Sequence, residues 1–290
     1  MSSATVSDAQ DDQRGRVAIV TGAGFGIGRA EALRLASDGA AVVVNDFDPA
    51  RAEETVAIIT GRGGRALVST GDVSDVAVAA ASVERALAEF GRLDVLVNNA
   101  GNSRPHFITN MSDEDWDLVI GVHLRGTFAF TRAAAIHWKA EAARSGPVGA
   151  AVVNTTSVNG LHGVPGYASY VAAKGGIASL TGMLARELAV FGVRVNAIAP
   201  LAFSGMTEPI WGSEVFHDDR RDELSPDNVA VVTGWLASPR SAPVTGEIVN
   251  FSGSRLNTVV EWPEKGSATA PGAVWDYGRL DAARADLFGA

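Results

Sequence analysis

The stretch VAIVTGAGFGIG, residues 17–28, decides the fold. It begins with a continuous apolar run, as a strand buried on both faces of a parallel sheet requires. Four glycines then precede a helix-like segment that runs to about Ser37. Such glycines let a pyrophosphate approach the N–H groups of a helix N-terminus, where the helix dipole favours negative charge. A tight turn that simply needs glycine is the alternative. The residues expected to line a dinucleotide site here are Gly22, Gly24, Phe25, Gly26, Ile27 and Gly28.

The same alternation of strand-like and helix-like segments continues along the chain. Further apolar runs occupy residues 41–45, 66–69, 93–97, 148–154, 193–198 and 247–251. Repeated alternation requires right-handed crossovers, which predicts an α/β fold: a single-domain, Rossmann-like, doubly wound parallel sheet with helices on both faces. The expected organisation is a disordered leader (1–14), a dinucleotide-binding and catalytic domain (15–253) and a C-terminal extension (254–290). The extension carries several large apolar side chains, so we expect it to pack on the domain or on a partner subunit.

Composition excludes several classes of protein. The 290 residues carry 24 Lys and Arg against 33 Asp and Glu, a net charge of −9, and no cysteine. Disulfides, thiolate metal sites and a cysteine nucleophile are therefore excluded, and the acidic balance argues against binding nucleic acid. No apolar run is long enough to span a membrane, and the polar N-terminus does not resemble a secretory signal. The five histidines lack the spacing of metal ligands. We expect a cytoplasmic protein without a metal.

Asp46 ends the second apolar run, the position at which dinucleotide-binding folds select their cofactor. A carboxylate there accepts hydrogen bonds from the ribose hydroxyls and repels a 2′-phosphate. Phe25 and Phe47 stand where a phosphate-binding enzyme needs cations. These residues predict NAD rather than NADP, although Arg51 is a cation close by in sequence.

Ser157, Tyr170 and Lys174 form the candidate catalytic group. Tyr170 and Lys174, at i and i+4, share one face of a helix. An ammonium beside a phenol lowers the phenol pKa, so Tyr170 is expected to exchange a proton with a hydroxyl as hydride leaves. Ser157 follows the run at 148–154 and is expected to hydrogen-bond the same oxygen. Decoration of a helix surface is the alternative for a single Tyr/Lys pair, but the glycine loop and Asp46 favour catalysis.

Together these motifs resemble the short-chain dehydrogenase/reductase family over about residues 14–253. The matching pieces are residues 21–28, Asp72-Val73, residues 98–101, Ser157, Tyr170 with Lys174, and Asn196 with Pro200. The resemblance implies contacts of the adenine with Asp72 and Val73, and of the nicotinamide ribose with Lys174. It also implies support of the cofactor by Asn99, Ala100 and Gly101, and a carboxamide held near Ile198, Pro200 and Thr207. Relatives commonly form tetramers, so a homo-oligomer, a tetramer or a dimer, is implied as well.

Residues 44–46, 122–126 and 199–207 resemble more closely the (3R)-hydroxyacyl-CoA dehydrogenase domains of peroxisomal multifunctional enzymes, which overlap in substrates with hydroxysteroid dehydrogenases. This likeness implies NAD-dependent interconversion of a secondary alcohol and a ketone on a bulky apolar substrate. The candidates are a 3-hydroxyacyl-CoA, a hydroxysteroid or a terpenoid alcohol. Phe203 and Trp211, in a segment expected to cover the substrate, favour an apolar compound, although packing explains them equally. An NAD(H)-binding redox sensor or scaffold without turnover is the alternative function, but it would not need Ser157, Tyr170 and Lys174.

His123 departs from the family pattern, which usually has asparagine at this position. It shares a helical face with Trp116, Val119 and Ile120, so we expect it to point inward. One interpretation is a core histidine with satisfied hydrogen bonds. The other is a catalytic imidazole that replaces asparagine in a proton relay and titrates near neutrality.

Overall fold

The computed structural model describes residues 12–202, 224–253, 255–259, 267–269 and 277–288. Its strands are β1 (Val17–Thr21), β2 (Ala41–Asp46), β3 (Arg65–Thr70), β4 (Val95–Asn98), β5 (Ala151–Thr155), β6 (Arg194–Leu201), β7 (Ile248–Ser252) and β8 (Arg255–Val259). They form one eight-stranded sheet in the order β3-β2-β1-β4-β5-β6-β7-β8. Strands β1 to β7 are parallel, and β8 runs antiparallel to β7.

Helices follow most of the parallel strands. They are α1 (Gly26–Ser37), α2 (Pro49–Gly61), α3 (Val76–Phe90), α4 (Asp113–Ile120), α5 (Gly126–Ser145), α6 (Val158–His162), α7 (Ala168–Glu187), α8 (Pro226–Ala237) and α9 (Tyr277–Phe288). A π-helical turn, Gly121–Arg125, joins α4 to α5. Short 3₁₀ turns span Leu188–Phe191 and Pro239–Ser241. Within the described ranges, none of the helices is long and apolar enough to cross a bilayer.

Apolar side chains pack on both faces of the sheet, and its strands supply residues to each side. Ala18 and Val20 of β1 face the core shared with α1 and α8, whereas Val17 and Ile19 face the core beneath α3 and α5. Successive side chains of a strand point to opposite faces, so a strand covered on both sides must be apolar at every position. The prediction of a doubly wound sheet with helices on both faces is confirmed.

At its N-terminal end, the described chain begins before Gly15. Gln13 is fully buried; its backbone N–H donates to the Asp38 carbonyl at 2.9 Å, and its side-chain amide donates to the Gly234 carbonyl at 3.3 Å. The expectation of a disordered leader through residue 14 is therefore wrong for residues 12–14. The rest of that leader, residues 1–11, lies outside the described residues.

At the other end, the sheet continues past Gly253, where the catalytic domain was expected to stop. Strand β8 pairs with β7 along its whole length, from Ser252 with Arg255 to Ile248 with Val259. The chain divides into one compact unit ending at Val259 and a second from Val260 to Ala290. Of the second unit, residues 267–269 and helix α9 are described. Packing of the extension on the domain or a partner stays a prediction.

Candidate active site at the carboxyl ends of the strands

The candidate site lies where the order of strands reverses. Strand β1 sits between β2 and β4, and the chain leaves β1 toward β2 before returning to build β4 on its other side. In open α/β sheets, ligands bind outside the carboxyl ends of the strands at such a point. Strands β1, β4 and β5 are parallel neighbours, so the residues that follow them lie at one edge of the sheet.

The glycine loop after β1 is clamped by the turn after β4. The Thr21 hydroxyl accepts the N–H groups of Asn99 at 3.0 Å and Ala100 at 3.1 Å. The Asn99 amide in turn donates to the carbonyls of Thr21 at 2.9 Å and Gly22 at 3.2 Å. A Cβ at Gly28 would lie 2.3 Å from the Gly22 carbonyl oxygen. The turn predicted to support a cofactor therefore packs directly on the loop predicted to bind it.

The N-terminus of α1 is open to an anion. Phe25 occupies the N-cap position and offers no side-chain hydrogen bond, whereas Asp48 and Asp75 cap α2 and α3. Gly26 has φ 58°, and no atom lies within 4 Å of the place where its Cβ would be. The first N–H groups of a helix have no partner within the helix. This uncapped, unobstructed end therefore suits the pyrophosphate of a dinucleotide.

Asp46 is held against the glycine loop by backbone donors. Its Oδ2 accepts the Gly24 N–H at 2.8 Å, and its Oδ1 accepts the Asp48 N–H at 3.0 Å. A Cβ at Gly24 would lie 2.7 Å from Oδ2 of Asp46, so only glycine fits there. Phe25 follows Gly24 and Phe47 follows Asp46 in the sequence, and the two are 55% and 77% exposed.

Two arginines lie beside the loop, and each faces a carboxylate. Arg29 donates through Nε to the Gly24 carbonyl at 2.9 Å and pairs with Glu54 at 2.6 Å. Arg51 Nε lies 3.4 Å from Oδ2 of Asp48. Arg29 was not among the site residues predicted from the sequence, because its contact with Glu54 arises only when α1 packs on α2.

The segment after β3 lies against the π-helical turn. Asp72 accepts the Ser74 N–H at 2.8 Å, and Val73 is buried. A Cβ at Gly126 would approach Val73 to 2.9 Å, and Arg125 Nε donates to the Ser74 carbonyl at 2.9 Å. Asp72 and Val73, expected to contact adenine, are thus held at the same edge of the sheet.

The three candidate catalytic side chains come together. The Ser157 hydroxyl lies close enough to the Tyr170 phenol to lower its pKa, and it accepts the Asn159 N–H at 3.2 Å, which caps α6. Lys174 is buried; its Nζ lies 5.6 Å from the centre of the Tyr170 ring and donates to the Thr155 carbonyl at 2.6 Å.

Burial governs the proton affinities of this group. It raises the pKa of Tyr170 above its usual value, although the hydrogen bond from Ser157 acts in the opposite direction. Burial also lowers the pKa of Lys174 to about 7. The prediction that the neighbouring ammonium would leave Tyr170 with a lowered pKa is therefore wrong for this structure. The cost of desolvating the phenolate outweighs the effect of the hydrogen bond.

His123 lies inside the site, as its helical face predicted. Its Nε2 is 2.7 Å from the carbonyl oxygen and 3.0 Å from the nitrogen of Asn102, and its ring meets Tyr170 edge-on with centres 5.4 Å apart. Its Nδ1 is buried and, among the described residues, has no hydrogen-bond partner. Burial, and next the charge of Lys174, lower the pKa of His123 to about 3. The prediction that it titrates near neutrality is wrong, because the imidazole stays neutral.

The remaining predicted residues follow β5 and β6. Ile198 is buried, and its carbonyl accepts the Thr156 N–H at 2.8 Å. Pro200 lies near the end of β6, opposite Phe251 of β7. The predicted carboxamide contact Thr207 and the predicted substrate contacts Phe203 and Trp211 lie outside the described residues.

A buried polar chain behind the site was not predicted from sequence. Asn98 donates to Asn154 at 2.9 Å, and Asn154 donates to the Thr181 hydroxyl at 2.9 Å. These contacts tie β4, β5 and α7 together behind the catalytic group. Asparagine at the ends of two apolar runs was the available signal. In the part of the chain that is described, no group of three or more His, Asp or Glu side chains could hold a metal ion.

Comparisons with known proteins agree with this geometry. The family model described as short chain dehydrogenase matches residues 16–213. The hydroxyacyl-CoA dehydrogenase ChsB1 of Mycobacterium tuberculosis is 42% identical over 96% of this chain and 90% of its own length. The human (3R)-3-hydroxyacyl-CoA dehydrogenase is 37% identical over 85% of this chain and 98% of its own. A crystal structure of a short chain dehydrogenase from Mycobacterium avium superposes with a TM-score of 0.87 at 40% identity, covering 97% of this chain and 96% of that one. The chain therefore belongs to the short-chain dehydrogenase/reductase family.

Proposed function

We propose that this oxidoreductase is NAD-dependent and interconverts a secondary alcohol and a ketone on a bulky apolar substrate, with a 3-hydroxyacyl-CoA as the first candidate. The observation that carries the proposal is the contact of Ser157 and Tyr170 beside buried Lys174, at the sheet edge that also holds the glycine loop. The names of the two relatives, both hydroxyacyl-CoA dehydrogenases, support that substrate. A hydroxysteroid or a terpenoid alcohol is the further candidate within the same chemistry.

Tyr170 is the proposed acid and base. Members of this family bind a nicotinamide cofactor, and NAD⁺ bound here supplies the acceptor for the hydride. The phenolate oxygen of Tyr170 takes the proton of the substrate hydroxyl and returns it to the ketone oxygen in the reverse direction. Ser157 hydrogen-bonds the same substrate oxygen. Lys174 is proposed to hold the nicotinamide ribose, and its charge favours the phenolate when it is protonated.

NAD is proposed over NADP on the basis of charge. Asp46 places a carboxylate beside the glycine loop, where it suits ribose hydroxyls and repels a phosphate. The two arginines beside the loop, Arg29 and Arg51, face Glu54 and Asp48. Both cations are therefore opposed by carboxylates.

His123 is proposed to act as a neutral imidazole. Its contacts with Asn102 and Tyr170 hold the tyrosine ring in place. Its Nδ1 is buried and has no partner within the described ranges; it is proposed to exchange a proton with the active site in step with Nε2, which lies against Asn102. Because the pKa of His123 lies near 3, the ring must release a proton from one nitrogen as the other takes one up, so that it stays neutral throughout.

A homo-oligomer is proposed from the groove between α5 and α7. Its exposed apolar side chains are Phe128, Ile136 and Met183. Arg132 and Lys139 of α5 and Glu187 of α7 line the same groove. A twofold axis would set the cations of one copy against the anion of the other. A dimer or a tetramer would bury this face.

The deciding experiment is reduction of NAD⁺, with NADP⁺ in parallel, against 3-hydroxyacyl-CoAs, hydroxysteroids and terpenoid alcohols. Tyr170→Phe is the blank, because it removes the proton-transferring oxygen and keeps the ring. NAD-selective turnover of one class, lost by about 100-fold or more in the blank, is the expected result. NADH binding without turnover of any compound would support the alternative, a redox sensor or scaffold.

A further inference from the structure

Arg51 is a cation restrained beside the loop that the proposed function assigns to the dinucleotide. Its Nε lies 3.4 Å from Oδ2 of Asp48, and the two side chains are 58% and 45% exposed. Its guanidinium carbon lies 5.5 Å from the centre of the Phe25 ring. The aromatic face and the carboxylate together fix where this charge sits.

Arg51 also lies close to Asp46. A Cβ at Gly24 would lie 2.7 Å both from the Cβ of Arg51 and from Oδ2 of Asp46. Both side chains therefore lie against the same glycine. A ribose that hydrogen-bonds Asp46 would bring its 2′ position within reach of Arg51. Guanidinium groups bind phosphate readily, as planar, permanently charged donors.

We propose that Asp48 is a specificity-determining residue, because it engages Arg51 and so withholds it from a 2′-phosphate. Discrimination against NADP then depends on two carboxylates. Asp46 repels the phosphate, and Asp48 pairs with Arg51, the cation next to Asp46 in the described part of the chain. This inference rests on the proposed function, which places the dinucleotide against the glycine loop.

The contribution of Asp48 is smaller than that of a buried charge. Ion pairs between exposed side chains are worth little in water, so Asp48 lowers the affinity of Arg51 for a phosphate only modestly. We expect a tightening of about two- to fivefold in affinity for the 2′-phosphorylated cofactor, in line with the strength of exposed charge pairs.

Asp48→Asn isolates this charge from the other role of Asp48. The Asp48 carboxylate caps α2, where Oδ1 accepts the Ala50 N–H at 3.0 Å. Asparagine is as good an N-cap as aspartate, and Pro49 still opens the helix. The helix start is therefore preserved while the anion facing Arg51 is removed.

The experiment is a fluorescence titration of NADH and NADPH against four forms of the full chain. They are the wild type, Asp48→Asn, Asp48→Asn with Arg51→Gln, and Asp113→Asn. The last variant removes the same charge from the first turn of α4 and controls for net charge. We expect Asp48→Asn to bind NADPH about two- to fivefold more tightly with NADH affinity unchanged, Arg51→Gln to cancel the gain, and Asp113→Asn to match the wild type.

Three results would overturn the inference. NADPH affinity unchanged in Asp48→Asn, a gain that survives Arg51→Gln, or an equal gain in Asp113→Asn would each show that Asp48 does not act through Arg51. If the wild-type chain binds neither dinucleotide, that result is distinct from these three, because it overturns the proposed function as well as the inference.

Discussion

The glycine loop and the catalytic group, the two ends of the site, are stabilised in different ways. At the glycine loop, both oxygens of Asp46 have backbone donors, and Arg29 has a carboxylate partner. At the catalytic end, burial lowers the pKa of Lys174 to about 7 and that of His123 to about 3. At the glycine loop, hydrogen bonds and an ion pair hold the polar groups in place. At the catalytic end, burial shifts the pKa values of ionisable side chains away from their usual values. Such perturbed groups mark where a fold performs proton chemistry.

Gly28→Ala should break the rigid end and give the largest effect. The added Cβ would lie 2.3 Å from the Gly22 carbonyl oxygen and from the Asn99 amide nitrogen, so the loop and its clamp must separate. NADH affinity should fall at least tenfold with a lower melting temperature, since overpacking costs about 1–3 kcal/mol. Titration of NADH and thermal unfolding check this. Gly61→Ala is the control, because nothing lies within 4 Å of its Cβ position; an equal loss there would refute the steric explanation.

His123→Ala should damage only the catalytic end. Turnover should fall about 10- to 100-fold, in the range of a lost proton-transfer contribution, with NADH affinity within twofold of the wild type. Because the imidazole is neutral above a pKa of about 3, the loss should be uniform between pH 6 and 9, as steady-state kinetics would show. His123→Asn, which supplies the residue usual in the family, should recover part of the rate. Unchanged turnover in His123→Ala would remove the relay role.

Asp46→Asn tests whether charge or shape selects the cofactor. The amide keeps one acceptor for the Gly24 N–H, which Asp46 now receives at 2.8 Å, but it no longer repels a phosphate. We expect NADH to bind several-fold more weakly and NADPH more tightly, so that their ratio of affinities shifts by about tenfold, or 1.4 kcal/mol. Both are measured by titration. If both affinities fall together, Asp46 acts by shaping the loop and not by its charge.

Glu31→Gln should have the smallest effect, on stability alone. The Thr233 hydroxyl donates to Glu31 Oε1 at 2.7 Å between α1 and α8, Oε2 is buried without a partner among the described residues, and burial raises the pKa of Glu31 to about 8. The folded chain keeps a proton that the unfolded chain releases at ordinary acidic pH. Stability present at low pH is therefore lost as pH rises toward 8. Glutamine cannot ionise, so the variant should not lose this stability. As pH rises from 5 to 9, its melting temperature should increase relative to that of the wild type. If the melting temperatures of the variant and the wild type change with pH in the same way, the raised pKa of Glu31 is contradicted.

Much of the fold was readable because apolar periodicity and glycine spacing are local. The run at residues 17–20 became β1, and the i, i+4 spacing of Tyr170 and Lys174 placed both on α7. Helix α8 was missed, although Ser225 followed by Pro226 and Asp227 is a recognisable start, and Ser225 does cap it.

Other features depend on three-dimensional packing. The pKa of Tyr170 follows from how much water the fold removes, which spacing does not reveal. The π-helical turn at Gly121–Arg125 inserts one residue into a helix whose sequence looks continuous. Strand β8 pairs only because β7 offers an open edge.

That last strand has a consequence for solubility. An open strand edge presents unpaired N–H and C=O groups and is a template for joining another chain. Strand β8 supplies β7 with a partner from the same polypeptide, from Arg255 to Val259, so the backbone of the parallel strand β7 is paired on both sides and the end of the sheet passes to β8. Shortening the chain to residues 1–253 would make β7 the edge, and its sequence IVNFS is more apolar than the RLNTV of β8, so the new edge would be more prone to aggregation.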